Sequence, residues 1–476
     1  MTRVLAFDFG ASSGRAILAS YEDGRLSWEE IHRFENIPVE QDGHLRWDFD
    51  TLLLEVQAGL DKAGAFDSVG FDTWGVDFGL LDEQGALLEL PVHYRDARTQ
   101  GILPAAFERM PAEELYHRTG NQIMPINTLF QLLVLQTQQP ELWKRAKKLL
   151  FMPDLFAHAL CGRAACERSI ASTSQMLDPA TGSWDGEVLA TFGVPWGLFA
   201  PPVQSGSILG TYGGAKVIAV AGHDTQCAVA ALPTNQPNVA FLSCGTWSLL
   251  GCELDAPLLT DATFSNELGA GGKVHYLKNI IGLWLIQESR REWKRQGKDY
   301  SYAELERLAL TAEPFRSFID PDDPTFASPG DIPERVRECC RRTGQPVPES
   351  VGAVMRCIYE SLAFKYRYTL HQLSAATGKR FTALHVLGGG SKDGLLCRMT
   401  ANACGLPVVA GPVEATALGN IIIQLTTLGA LKDIAAGREL IARTETLRRD
   451  EPVEQALWNS AYHTYTNLWM EREDAR

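Results

Sequence analysis

Asp8 stands two residues before the turn Gly10–Ala11–Ser12–Ser13–Gly14–Arg15. That turn offers backbone N–H groups, two hydroxyls and a guanidinium in one place. A nest of N–H groups beside an arginine is an anion site. Its glycines predict positive φ, which they adopt without a Cβ clash. A carboxylate just ahead of the turn suits a cation or a metal-bound water. The turn does not open a helix, because Ala16–Ser20 reads as a second strand. It also lacks the G-x-x-x-x-G-K-[ST] spacing of a Walker loop. Taken alone, the stretch fits a phosphate loop and a plain hairpin with a polar tip equally well.

Three further clusters carry chemistry-bearing residue types. The strand Lys216–Val220 ends in Ala221–Gly222–His223–Asp224–Thr225, and a helix to about Leu232 is predicted to follow. Asp224 and Thr225 then sit at a helix N-terminus, which favours the ionised carboxylate. A positioned carboxylate can accept the proton of a weakly nucleophilic hydroxyl; a simple helix cap is the bland alternative. His223 either faces the same site or fills core. The hairpin Val239–Ser243 and Trp247–Cys252 turns at Cys244–Gly245–Thr246. The strand Thr382–Leu387 leads into Gly388–Gly389–Gly390 and a helix from about Asp393. Such a turn lets a flat or charged ligand approach the backbone closely.

These clusters need strands and helices to hold them. Val4 to Ser20 reads as a hairpin, continued by a strand at Leu26–Phe34. Asp50 is the expected cap of a helix through Lys62, with Leu52, Leu53, Val56 and Leu60 on one face. Ser68–Thr73 and Val76–Leu81 read as buried strands joined by Asp72–Thr73–Trp74–Gly75–Val76–Asp77. The polar stretch Pro91–Thr99, with His93, Arg95, Asp96 and Arg98, is expected to share a pocket with Trp74 and Asp77. Helices are expected across 105–160, Asn279–Gly297, Ser350–Gly378, from Gly411–Pro412 to about Leu428, and Glu454–Glu471. Residues 178–206 read as long loops. The hairpin at Cys244–Thr246 repeats the plan of the opening one about half a chain later. Two lobes are expected, 1–233 and 234–476, each presenting a phosphate-facing turn to a nucleotide between them.

Composition narrows the function classes. A chain of 476 residues with 45% hydrophobic and 21% charged residues is a globular protein of more than one ordinary domain. The net charge of −14 argues against a nucleic-acid partner. No apolar run reaches the roughly 18–20 residues that span a bilayer. The opening Met-Thr-Arg followed by a strand predicts no secretory leader, hence a cytoplasmic protein. The ten cysteines form no C-x-x-C pair, and the ten histidines show no zinc spacing. Reduced thiols are the expectation, with a local disulfide between Cys161 and Cys166 left open.

The segments D-F-G-A-S-S-G-R, D-T-W-G-V-D-F, Y-R-D-A-R-T, G-H-D-T, S-C-G-T-W-S-L, L-K-N-I-I-G-L-W-L-I-Q, G-G-G-S and G-P-V-E-A-T-A-L-G-N occur in this order over nearly the whole chain. Together they resemble the FGGY family of carbohydrate kinases. The resemblance implies an α/β fold of two lobes, actin/hexokinase-like and ribonuclease H-like, with a nucleotide cleft between them. It implies ATP-dependent phosphorylation of a ketose, L-rhamnulose at its 1-hydroxyl, with L-fuculose or a pentulose as alternatives. Asp224 would be the catalytic base. Ala11, Ser12, Ser13, Gly14, Arg15, Thr246, Gln287 and Gly389 would contact ATP. Gly75, His223, Asp224, Thr225 and Asn279 would hold the sugar, and Asp8 would stand near Mg2+. The implied partners are small molecules, the sugar and ATP. Cys244, Leu268 and Ser391–Lys392–Asp393–Gly394 depart from the family pattern. A catalytically silent sensor and an actin-like polymerising protein are the readings from other classes.

Overall fold

The computed structural model describes residues 1–470 of the chain. In chain order the elements used below begin with strands β1 (Thr2–Phe9), β2 (Ser13–Glu22) and β3 (Arg25–Glu35) and helix α1 (Phe49–Ala63). Strands β4 (Ser68–Thr73), β5 (Ser207–Tyr212) and β6 (Ala215–Ala219) precede helix α2 (Asp224–Ala230). Then come β7 (Val239–Cys244), β8 (Trp247–Leu254), β9 (Ser265–Leu268), β10 (Val274–Ile281), α3 (Trp284–Arg295) and α4 (Val351–Thr377). The last are β11 (Ala383–Leu387), α5 (Gly394–Cys404), β12 (Val408–Ala410), α6 (Ala415–Thr427), α7 (Ile434–Thr444), β13 (Arg448–Asp450) and α8 (Gln455–Trp469). Glu471, the expected end of the last helix, lies outside the described residues.

The chain forms two compact units that are interleaved in sequence. The first comprises Met1–Asn235, Glu253–Leu277 and Glu414–Glu445. The second comprises Gln236–Cys252, Lys278–Val413 and the chain from Thr446. The first crossing falls close to the expected cut at 233/234, and the chain then returns twice.

In the first unit the sheet order is β5-β6-β4-β1-β2-β3. β1 is antiparallel to β2 and parallel to β4. Both faces of β1 are covered, so Val4 to Phe7 and Phe9 are apolar on both sides, with Asp8 the buried exception. Phe7 and Phe9 join Phe71 and Phe156 in an aromatic stack on the α1 side, with ring centroids 4.3–6.3 Å apart. Val4 and Ala6 face the other way and pack with Ala417, Leu418 and Ile421 of α6. In the second unit the order β8-β7-β11-β12-β13 repeats the plan. An antiparallel hairpin, β7/β8, is joined along β7 by the parallel strand β11. Both units therefore offer a hairpin turn beside the C-terminal end of a parallel strand, where α/β sheets bind ligands.

Several local expectations change. Asp48, not Asp50, caps α1, because its carboxylate accepts from Thr51 N–H at 3.1 Å. Asn279 lies on a strand, and the helix that follows starts only at Trp284. Val-His-Tyr-Leu-Lys-Asn-Ile-Ile is almost wholly buried, and Gly282 separates it from the helix. Residues 148–151 form a strand within the region read as helical, and 178–206 contain short strands and the helix Gly186–Thr191. Cys161 and Cys166 are not bonded, and all ten cysteines are free thiols. Among the described residues no helix is long and apolar enough to cross a membrane.

Candidate active site

In the first unit, strand register builds the site. Asp8 lies opposite Arg15 in the antiparallel hairpin and beside Asp72 in the parallel pair. Asp8 Oδ2 accepts from Arg15 Nε at 2.9 Å and from Nη2 at 2.6 Å. Arg15 Nη1 is ion-paired with Glu414 at 2.5 Å. Burial works against the Arg15 charge, but Asp8 and Glu414 outweigh it and raise its pKa. The guanidinium is thus fixed between two carboxylates at the base of the turn.

The turn glycines serve a different purpose from the one expected. Neither Gly10 nor Gly14 has positive φ. A Cβ on Gly14 would fall onto the Phe34 ring, and one on Gly10 would lie 3.3 Å from Ser13 O. Space, not backbone handedness, excludes side chains here. The loop is closed by Gly10 N–H donating to Ser13 O at 2.9 Å and by Asn36 Nδ2 donating to Gly10 O at 3.0 Å. Ser12 remains exposed at the tip.

Asp72 is a site residue that sequence reasoning passed over. Its side chain is fully buried. Oδ2 accepts from Asn420 Nδ2 at 2.7 Å, while Oδ1 has no hydrogen-bond partner. Burial first, then the neighbouring charge of Asp8, pushes its carboxyl well above the usual range; Asp224 adds to the push. Asn420 and Gln424, one turn apart on α6, also bind Gly70 O and Leu5 O. The A-L-G-N motif is therefore a clamp between α6 and the sheet. Asp72 and Asn420 both stood in the quoted motifs, but their pairing spans the chain.

Asp224 opens α2, with His223 as the N-cap residue. Thr73 N–H donates to Gly222 O at 2.9 Å, which ties β4 to the segment before the helix. The Asp224 carboxylate accepts from Thr225 N–H at 2.5 Å and lies 3.4 Å from His223 Nε2. Its side chain keeps 32% of its surface exposed, so a hydroxyl can reach it. The helix terminus does not dominate its titration. Burial raises the pKa, His223 opposes the rise, and Asp8 adds to it. A Cβ on Gly75 would lie 3.4 Å from His223 Nε2 and 3.3 Å from Thr173 Cγ2. Gly75, His223, Asp224 and Thr225 are thus brought together, with Thr225 buried.

A second buried carboxylate organises the polar pocket expected around Trp74. Asp77 Oδ2 accepts from Trp47 Nε1 at 2.7 Å, Trp74 Nε1 at 3.0 Å and Tyr94 N–H at 3.1 Å. Asp77 Oδ1 accepts from Gln131 Nε2, which shares its amide with Arg98 through Oε1. Trp47 stacks between Trp74 and His93, with centroids 3.9 and 4.0 Å away. Burial and Arg95 push His93 down to about 3, so the ring is neutral and Nδ1 accepts from Arg95 N–H. Trp74 is 5% exposed and acts as core; Trp247 is only half-buried. Nothing near Trp47 in the sequence marked it as a partner of Asp77.

Burial also pushes Asp77 up to about 6, from 3.8 in a free chain. A carboxyl with a raised folded-state pKa holds its proton in the folded state first. Its contribution to stability therefore falls as pH rises through that window. The unfolding free energy of the protein minus that of Asp77→Asn is expected to drop by about 2 kcal/mol between about pH 4 and pH 6. Urea unfolding of both proteins across that range checks it, and a flat difference would refute it.

In the second unit Thr246 and Gln287 meet. Thr246 Oγ1 donates to Gln287 Oε1 at 3.3 Å, and Thr246 O accepts from Gly282 and Trp284 N–H at 3.2 Å. The hairpin turn thereby holds the start of α3. Gly390 abuts β7: a Cβ there would fall onto the Cys244 thiol. Burial pushes that thiol up to about 12, leaving it neutral. Gly388 has φ of 79°, and a Cβ on exposed Gly389 would meet nothing within 4 Å. Gly389 therefore presents bare backbone to whatever binds there. Asn279 sits on β10.

Comparison with known proteins agrees with this architecture. Residues 3–233 match the N-terminal domain of the FGGY family of carbohydrate kinases, and residues 240–428 match its C-terminal domain. The chain is 45% identical over 480 residues to a rhamnulokinase of Bacteroides thetaiotaomicron, covering 97% of this chain and 98% of that protein. Its fold is similar to that of ligand-bound xylulose kinase from Lactobacillus acidophilus, with a TM-score of 0.78, 16% identity and coverage of 98% and 97%. Plasmodium falciparum glycerol kinase with ADP is similar too, with a TM-score of 0.76, 14% identity and coverage of 100% and 98%. The two matched domains account for most of both units, and the chain belongs to the FGGY family of carbohydrate kinases, enzymes that use ATP as co-substrate.

Proposed function

We propose that this kinase transfers the γ-phosphoryl group of ATP to the 1-hydroxyl of L-rhamnulose, a step of rhamnose breakdown. The observation that carries this reading is 45% identity, over 97% of the chain, to a protein named rhamnulokinase. Asp224 takes the proton of the sugar hydroxyl as its oxygen bonds to phosphorus and the bond from phosphorus to the ADP oxygen breaks. Gly75, His223 and Thr225 hold the sugar in the first unit. The turn Ala11–Arg15 receives phosphate oxygens on its N–H groups and hydroxyls. In the second unit Thr246 contacts phosphate, while Gln287 and Gly389 line the nucleotide.

The residues also fit Mg2+. No cluster of three or more His, Cys, Asp or Glu side chains is set to ligate an ion directly among the described residues. Asp8, however, is flanked by Asp72, whose buried Oδ1 lacks a partner. That is the arrangement a hydrated cation relieves, with Asp8 holding it through water. Bound Mg2+ supplies charge neutralisation on the phosphates. We assign the enzyme to the cytoplasm, a reading that ten free thiols support.

A coupled ADP-release assay over L-rhamnulose, L-fuculose, L-ribulose and D-xylulose tests the substrate. L-Rhamnulose should give the highest kcat/KM; a higher value for another ketose overturns that assignment. In the same assay Thr246→Ala is expected to raise KM for ATP roughly 5-fold, the loss of one hydrogen bond of about 1 kcal/mol. An unchanged KM would remove Thr246 from the nucleotide site.

A further inference from the structure

His223 is fixed from behind by a carboxylate that no role above employs. Glu267, on β9, is 3% exposed. Its Oε2 lies 2.8 Å from His223 Nδ1 and accepts from Gln226 Nε2 at 2.5 Å. Gln226 belongs to α2, two residues beyond Asp224, so the same helix carries the base and the clamp on Glu267. Behind it the chain of polar contacts continues. Gln226 Oε1 meets His275 Nδ1, and His275 Nε2 lies 3.4 Å from Glu253 Oε1. Glu253 receives Arg438 of α7 at 2.7 and 2.8 Å, and Arg438 also donates to Val229 O near the end of α2 at 2.9 Å. Glu267 is thus held by a buried network braced at both ends of α2.

We infer that Glu267 is a positioning residue: its carboxylate fixes Nδ1–H of His223, so that Nε2 is directed at Asp224 and at the sugar beside Gly75. With Nδ1 committed, the ring has one orientation. Its other nitrogen lies 3.4 Å from Asp224 Oδ1 and against Gly75. A carboxylate that orients an active-site imidazole and stabilises its charged form is a recurring arrangement. Electrostatics agree with it. Burial opposes a charge on His223, but Glu267 outweighs it and raises the imidazole pKa. Positive charge on His223 in turn opposes the rise of Asp224. The charged groups facing His223 are Glu267 from β9, Asp224 on its own helix and Glu167. Ser169 Oγ accepts from its backbone N–H at 3.3 Å. This inference rests on the reading of Asp224 as base and His223 as sugar-facing.

A double-mutant cycle of Glu267→Gln and His223→Ala tests it. Glutamine keeps the shape but removes the negative charge and offers an amide that can donate or accept, so the ring is no longer held in one orientation. We expect E267Q to lower kcat roughly 10- to 100-fold, the usual scale for a group that orients a histidine, with KM for ATP unchanged. The acid limb of its pH–rate profile should move to higher pH, because Asp224 loses the support of a charged neighbour. In the His223→Ala background E267Q should slow turnover no further. Additive losses, or a wild-type kcat for E267Q, would overturn the inference. If E267Q does not fold, the cycle is run with Glu267→Asp and judged by the same criterion. An incorrect substrate assignment shows in the wild type, as another ketose preferred; an incorrect role for Glu267 shows only in the cycle, whichever ketose is used.

Discussion

Asp224→Asn is expected to lower kcat for ketose phosphorylation by roughly 10²–10⁴-fold, the range for removing a positioned general base. The amide still accepts from Thr225 N–H, so α2 should start as before. KM for the sugar should change little, because the amide oxygen remains a hydrogen-bond acceptor at the same place. Thermal stability should hold or rise. The carboxylate sits near Asp8 and Asp72, and replacing it by a neutral group relieves repulsion. The wild-type rate should fall on acidification, since the base works only when deprotonated. Its titration is displaced upward from 3.8 by burial, so the fall begins at higher pH than for a free aspartate. Steady-state kinetics from pH 5 to 9 on both proteins, with melting curves, check each part. Full turnover by the variant would remove Asp224 from the chemistry.

Gly419→Ala is expected to be the most disruptive single methyl in the first unit. Gly419 lies in α6 where that helix crosses α2. A Cβ there would overlap the carbonyl oxygen of Cys227 and lie 2.6 Å from its carbonyl carbon. These are backbone atoms, so no rotamer change relieves the clash; one helix must move. Overpacking of this kind costs about 3 kcal/mol or more when the backbone cannot give. The proposed base and the Asn420 clamp ride on the displaced helices. Asp224 is three residues before Cys227, and Asn420, next to Gly419, holds Asp72. A lower melting temperature should therefore accompany a lower kcat. Gly197→Ala is the control: a Cβ there would meet nothing within 4 Å, and melting should be unchanged. Equal melting of the two variants would show that the α2–α6 crossing relaxes more freely than its contacts imply.

Much of the site was legible because the signals are local. An apolar run ending in Asp, Gly or Ser, followed by another apolar run, specifies a strand, a turn and the residues that the turn exposes. Asp8, the turn to Arg15, His223–Asp224–Thr225, Thr246 and the glycines at 388–390 all lie at such junctions. The 27-residue helix Val351–Thr377 was legible for the same reason, from its long helical pattern between Ser350 and Gly378. The family motifs then added order along the chain, and two matched domains bear out that membership.

Other features depended on partners far apart in sequence. Periodicity marks which face of an element is buried, but not what lies across from it. Asp72 becomes a charged neighbour of Asp8 only through the parallel register of β1 and β4. Trp47 becomes a partner of Asp77, and Glu267 of His223, only when separate segments fold onto one core. Asn279 reads as helical by local pattern, yet its buried neighbours pair in a sheet. Gly14 reads as a conformational choice in the sequence, whereas the fold uses it, as it uses Gly419, for the absence of a side chain, beside Phe34 and Cys227 respectively. The amino-acid order by itself determined which groups could do chemistry and on what kind of turn each would stand. The tertiary structure decided their charge, orientation and support, because those depend on distances and burial created by contacts between remote segments.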